Sequence, residues 1–259
     1  MNAIIGAFGT TLSYLRVFVG WILLALICLA WSIIALPAYL LLPVRSGTAF
    51  GRAGIRAGFR LFVHVLQFMN IYRFDLRELE GLRDEAGVIV APNHPRLIDA
   101  LVLLAYHPNL VCVMKSELKR NLFLSAGSSL ARYICNTPPR RMIREAIAAL
   151  HEGGVLLLFP EGTRSVCAPV NECQLTVGAI AKHARVSVVT VLIETDSPYL
   201  SKGYPLLRMP RAPIRYRARL GARFNPPTDA QRFTRELEAY FCSELRISPT
   251  GEQRQAGLS

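Results

Sequence analysis

The chain has 259 residues, 52% of them hydrophobic, with a mean hydropathy of +0.30. That is one large domain or two small ones, with apolar material for a core and a membrane segment besides. The formal charge of +12 calls for an anionic partner, and the six cysteines form no Cys-x-x-Cys pair and no zinc-type cluster, so no metal site is expected.

From Val17 to Leu42 no residue is charged, and Arg16 and Arg45 bracket the run. It exceeds the roughly 20 residues a helix needs to cross a bilayer and is too long for a cleaved signal peptide. Pro37 predicts a kink or break, leaving one tilted spanning helix or a re-entrant one. Arg45, Arg52, Arg56 and Arg60 follow the run, which puts the downstream domain in the cytoplasm. Residues 48–72 read as a second helix whose Arg52, Arg56 and Arg60 form a basic stripe. That stripe suits anionic lipid or is simply a solvated face. Residues 1–72 are therefore expected to be a membrane anchor with an interfacial helix.

Beyond residue 72, strands alternate with helices. Strands are expected at 71–76, 88–91, 110–114, 155–159, 186–193 and 214–220. Helices are expected at 98–105, 140–150, 175–183 and 228–245. This order predicts an α/β fold, a mostly parallel sheet flanked by helices, over 73–248. The segment 249–259 reads as a polar, disordered tail.

Two segments leave strands where α/β proteins gather their chemistry. The first runs from Ala91 to Asp99 and contains His94. On a regular helix the five-residue step from His94 to Asp99 turns through about 140°. With Pro95 as first helical residue, His94 lies outside the helix start and can fold back onto Asp99. The carboxylate then holds one imidazole nitrogen while the other takes a proton from a hydroxyl. The bland alternative is a capping histidine beside a first-turn aspartate. The second segment is Phe159-Pro160-Glu161-Gly162-Thr163-Arg164-Ser165. Gly162 permits close backbone approach, Thr163 offers a hydroxyl and Arg164 a phosphate-matching fork. Glu161 could bond a substrate hydroxyl or lock Arg164. Nucleic-acid binding rests on charge alone, with no recognition helix or RNA-binding aromatic motif.

These residues resemble the lysophospholipid acyltransferase family, which includes bacterial 1-acylglycerol-3-phosphate acyltransferases. Asn93, His94 and Asp99 match its first motif. Lys115, Glu117 and Leu118 match its second, and Phe159 through Ser165 its third; its fourth falls in 186–193. The resemblance implies an O-acyltransferase in which His94 is the general base and Asp99 its support. Glu161, Gly162, Thr163 and Arg164 would bind the acceptor, with Arg164 on its phosphate, and Lys115 would help shape the pockets. The donor would be acyl-ACP or acyl-CoA, with no cofactor, and an apolar tunnel would hold the acyl chain. The implied setting is the bacterial inner membrane, with the catalytic domain facing the cytoplasm.

The first motif here carries Pro95-Arg96 in place of the usual Gln-Ser, and the second lacks its usual ending. The acceptor therefore stays open. Phosphatidic acid synthesis is one reading. Transfer to a lyso-ornithine lipid or a specialised polyene lipid is another, and a non-catalytic basic membrane-anchored binding protein is a third. Arg96, Arg140 and Arg141 are candidates for a replaced phosphate contact.

Overall fold

The structure is a computed structural model. It describes residues 2–121, 123–167, 169–205, 208, 210 and 212–247, with side chains within 14–246. The expected tail at 249–259 lies outside the described residues.

Helix α1 spans Asn2–Leu41 and passes through Pro37 without a break. The expected interruption comes instead at Pro43, whose φ of −55° opens α2, Val44–Phe68. One proline removes a single backbone bond, and the apolar run continues past it. Val17, Trp21, Leu24, Ile27 and Trp31 recur at helical spacing and pack against the protein. The opposite face, with Phe18, Ile22, Leu26, Ile33 and Leu40, is apolar and exposed. The stretch Tyr14–Leu41 is long and apolar enough to cross a membrane.

Gly54 on α2 and Gly127 on α4 (Ser125–Leu130) form notches for the Trp31 indole; a Cβ at either would overlap it. Ser32 donates to the Phe123 carbonyl at 2.9 Å. Helix α1 therefore lies along the protein instead of projecting from it.

Helix α2 is amphipathic and buries Ile55, Phe62, Val63 and Leu66. It ends where Asn70 takes a left-handed φ of 55°. Asn70 N–H then bonds Gln67 O, and Ile71 N–H bonds Leu66 O. Its arginine stripe is divided in use. Arg52 donates to the Ala131 carbonyl at 3.2 Å and to Asn109, so it ties α2 to the body of the protein.

The strands are β1 (Tyr72–Asp75), β2 (Ile89–Pro92), β3 (Leu110–Met114), β4 (Ile134–Cys135), β5 (Val155–Leu157), β6 (Val188–Thr195) and β7 (Ile214–Phe224). They form one sheet in the order β1-β7-β6-β2-β5-β3-β4. Every pairing is parallel except β6 with β7. The predicted α/β class with a mostly parallel sheet is what the chain adopts.

Alternate residues of the central strands feed two apolar layers. Val90 and Leu157 face the layer shared with α1, α2 and α3 (Asp99–Tyr106). Ile89, Ala91 and Leu156 face α5 (Pro139–His151), α6 (Thr176–Ala184) and α7 (Ala230–Ile247). The carboxyl ends of β2, β5, β3 and β4 share one edge of this sandwich.

Candidate active site

Strand β2 ends at Pro92, where Asn93 takes over the edge. Its side chain donates to Ile193 O at 2.9 Å and accepts from Ile193 N at 2.7 Å, standing in for a ladder bond. His94 follows directly. Helix α3 does not begin at Pro95 as expected but at Asp99. The intervening residues form a turn because the Asp99 carboxylate captures the Arg96 N–H at 2.7 Å.

The same oxygen of Asp99, Oδ2, lies 2.9 Å from His94 Nδ1, and Oδ1 accepts from the Tyr216 hydroxyl at 3.0 Å. Asp99 is wholly buried. A carboxylate accepts, so Nδ1 carries the hydrogen and Nε2 keeps its lone pair. The imidazole stacks on Phe159 with ring centroids 3.9 Å apart. Its side chain is 15% exposed, so a ligand can still reach it.

Burial, with the neighbouring Asp99 carboxylate adding to it, holds the Tyr216 hydroxyl well above its usual pKa. Tyr216 is therefore a permanent donor to Asp99. The sequence reading did not single it out. Its one signal was the alternation of β7, in which Ile214, Tyr216 and Ala218 point inward. A hydroxyl at an inward position needs a buried partner.

The second loop clamps the first. Glu161 Oε1 accepts from His94 N–H at 2.9 Å and from Ser165 Oγ at 2.7 Å, and Oε2 accepts from Asn171 N–H at 2.8 Å. Ser165 N–H returns a bond to His94 O at 2.7 Å. Glu161 is buried, and its contacts are with the protein's own backbone and Ser165. Gly162 sits at φ +65°, where a Cβ would also overlap Gln174. Thr163 is half-buried on the same loop.

Arg164 directs Nη1 at Leu200 O (2.9 Å) and Ser201 O (3.1 Å). Arg96 is buried, its Nε on Ser197 O at 2.8 Å and its Nη1 on Pro95 O at 2.8 Å. Both arginines thus hold the loop that follows β6. Lys115 is exposed at the carboxyl end of β3, two strands from β2. Arg140 and Arg141 open α5 after β4, three strands from β2, so the structure does not bring them to His94.

Beside the site, a narrow apolar cleft runs between α1, α2 and the loops after β2 and β6. Val17, Trp21, Phe62, Leu66, Leu97 and Tyr199 are among its walls. Trp21 Nε1 donates to the Tyr199 hydroxyl at 3.0 Å, closing α1 over the cleft.

An imidazole held by a buried carboxylate, at the carboxyl edge of a mostly parallel sheet, stands where α/β proteins gather their chemistry and has the geometry to take a proton from a hydroxyl. Residues 73–194 match the family model described as Acyltransferase. Over 154 residues the chain is 25% identical to the putative 1-acyl-sn-glycerol-3-phosphate acyltransferase acl-1 of Caenorhabditis elegans. That alignment covers 55% of this chain and 57% of the relative, so the chain spans little more than half the length of that protein. The fold is also that of the 1-acyl-sn-glycerophosphate (LPA) acyltransferase PlsC of Thermotoga maritima. There the TM-score is 0.70 at 18% identity, covering 90% of this chain and 94% of that one.

Proposed function

We propose that this chain transfers a fatty acyl group from an acyl-ACP or acyl-CoA thioester to the free hydroxyl of a lysophospholipid, converting 1-acyl-sn-glycerol-3-phosphate to phosphatidic acid. The observation that carries the reading is the 2.9 Å contact between His94 Nδ1 and the buried Asp99 carboxylate. It fixes the tautomer and leaves Nε2 to take the acceptor's hydroxyl proton as the oxygen attacks the thioester carbonyl. The new C–O bond forms, the C–S bond breaks, and the departing sulfur receives the proton from the imidazolium. No covalent acyl-enzyme is needed.

The apolar cleft beside His94 takes an acyl chain. Arg164 spends Nη1 on the loop after β6, and its remaining N–H groups meet the acceptor's phosphate. The uncovered apolar face of α1 rests in the membrane of a bacterial cell, with the catalytic domain on the cytoplasmic side.

The use of Arg96 within the protein favours a second acceptor reading. An arginine bonded to two carbonyls is poorly placed to replace a phosphate contact, which suits an acceptor such as a lyso-ornithine lipid. The test is turnover of the detergent-solubilised protein on lysophosphatidate against a panel of lysolipids, with either thioester. Activity on lysophosphatidate that falls at least a hundredfold in His94→Ala is the expected result. No activity on lysophosphatidate overturns the first acceptor. Undiminished transfer by His94→Ala overturns the mechanism.

A further inference from the structure

The basic residues of the catalytic domain are unevenly placed. Pro138, Pro139, Arg140, Arg141 and Arg144 line one open depression at the start of α5. Arg140, Arg141 and Arg144 are all exposed. Arg141 pairs with Glu145 at 2.6 Å, while Arg140 and Arg144 have no acidic partner among the described residues. The segment after β3 adjoins the loop that leads into α5. Asn136 joins the two, accepting from Ser116 N–H at 3.1 Å, and that segment carries Lys119 and Arg120.

Stability does not explain this placement. The first turn of α5 holds no acidic residue, and cations near a helix start oppose the backbone dipole. The unfavourable charge is retained on an open surface, where an anionic partner would offset it.

Position relates the patch to the chemistry. Strands β2, β5, β3 and β4 are adjacent and parallel, so their carboxyl ends lie along one edge. Three inter-strand steps of about 4.8 Å put the exit of β4 about 14 Å from the exit of β2, where His94 stands. A partner seated there must deliver a thioester sideways along the edge.

We propose that this depression and the adjoining Lys119–Arg120 segment form the docking surface for an acidic, thioester-bearing carrier protein. The proposal rests on the acyl-transfer reading given above and names its donor. The patch is broad and shallow, spread over two elements, which fits the side of an acidic helix. A nucleotide-linked thioester would call for a ring to stack its base, and the depression is lined by prolines and arginines alone. The carrier's flexible arm spans the remaining distance to His94.

The experiment is steady-state kinetics of the full chain in detergent, with palmitoyl-acyl carrier protein and palmitoyl-CoA as alternative donors. Wild type is compared with the double variant Arg140→Glu/Arg144→Glu. The expected result is a rise of about tenfold in KM for the carrier-protein donor, with kcat kept and the CoA kinetics within twofold of wild type. The rise should shrink as salt is added. An unchanged KM for the carrier-protein donor overturns the proposal. Equal rises for both donors also overturn it and assign the patch to the nucleotide. Binding of the holo-carrier protein to immobilised wild type and variant reads the patch without turnover; equal affinities there overturn it. Wild type inactive with both donors would defeat the acyl-transfer reading, and the binding measurement would still decide the patch.

Discussion

Tyr216 donates its hydroxyl hydrogen to Oδ1 of Asp99 at 3.0 Å, across 117 residues of chain. Asp99 uses its other oxygen for His94 and for the Arg96 N–H, so β7 and the turn after β2 hold the carboxylate from opposite sides. Because Asp99 and Tyr216 are both buried, the hydroxyl fixes which way the carboxylate faces. Tyr216→Phe removes one charge-assisted bond worth about 1.5–3 kcal/mol while keeping the ring. Expressed in the rate, that is a fall in kcat of about ten- to a hundredfold, with acceptor KM nearly constant. An unchanged kcat would show that His94 and the Arg96 amide suffice to orient Asp99.

Glu161 offers a second decision. The family pattern makes it an acceptor-binding residue, yet here its oxygens take His94 N–H, Ser165 Oγ and Asn171 N–H. Glu161→Gln presents an NH2 to one of these donors. The expected outcome is a fall of several degrees in Tm together with a drop in kcat, because the His94 backbone loosens. A rise in acceptor KM with Tm unchanged would instead show direct contact with the substrate.

The pairing of His94 with Asp99 was legible in the sequence because both residues lie in one short turn after a strand. The predicted strand at 110–114 is β3 itself, and β2, β5, β6 and β7 were located with ends shifted by a few residues. Strand β4 was missed because Ile134–Cys135 is too short to show a period. The third-motif residues were visible, but what they touch was not. Glu161 and Arg164 look alike as exposed polar groups in a linear reading, and only the fold shows one buried in a clamp and the other gripping Leu200 and Ser201. Tyr216 lay beyond reach because its partner is set by sheet order, and the antiparallel β6–β7 pairing that delivers it has no local signature.

The contact of α1 with the domain rests on small residues. At Gly54 any side chain overlaps the Trp31 indole. Gly54→Ala is therefore expected to push α1 from α2, lowering Tm and opening the apolar cleft, by overpacking of about 1–3 kcal/mol. Gly54→Ala/Trp31→Ala should recover part of that loss, since the clash is gone although the indole's burial is lost as well. Thermal unfolding in detergent of both variants checks this. A single variant as stable as wild type would mean that α1 is not seated in the Gly54 notch.

His107 sets a pH dependence far from the catalytic edge. It is buried where α3 ends, accepting from Asn109 N–H at 3.0 Å and lying 3.2 Å from Glu85 O. Those two contacts suit a neutral ring, with Nε2 donating to the Glu85 carbonyl. Burial holds its pKa below the usual value, and nearby Arg56 acts in the same direction. The bond to the Glu85 carbonyl and the charges of Glu85 and Asp84 act against it. The unfolded chain thus takes up this proton at a higher pH than the folded one. The stability His107 contributes is complete above the unfolded value of about 6.5 and is lost as pH falls through the lowered folded value. His107→Gln keeps a donor and an acceptor without a titrating ring. At pH 7.5 it should cost about 1–3 kcal/mol for imperfect bonds. Between pH 7.5 and 5 its Tm should fall less steeply than that of wild type. Comparing the two melting profiles subtracts His64, His94, His151 and His183, which both proteins share. Profiles running parallel across that range would show that the ring at 107 takes up its proton equally readily in the folded and unfolded chain.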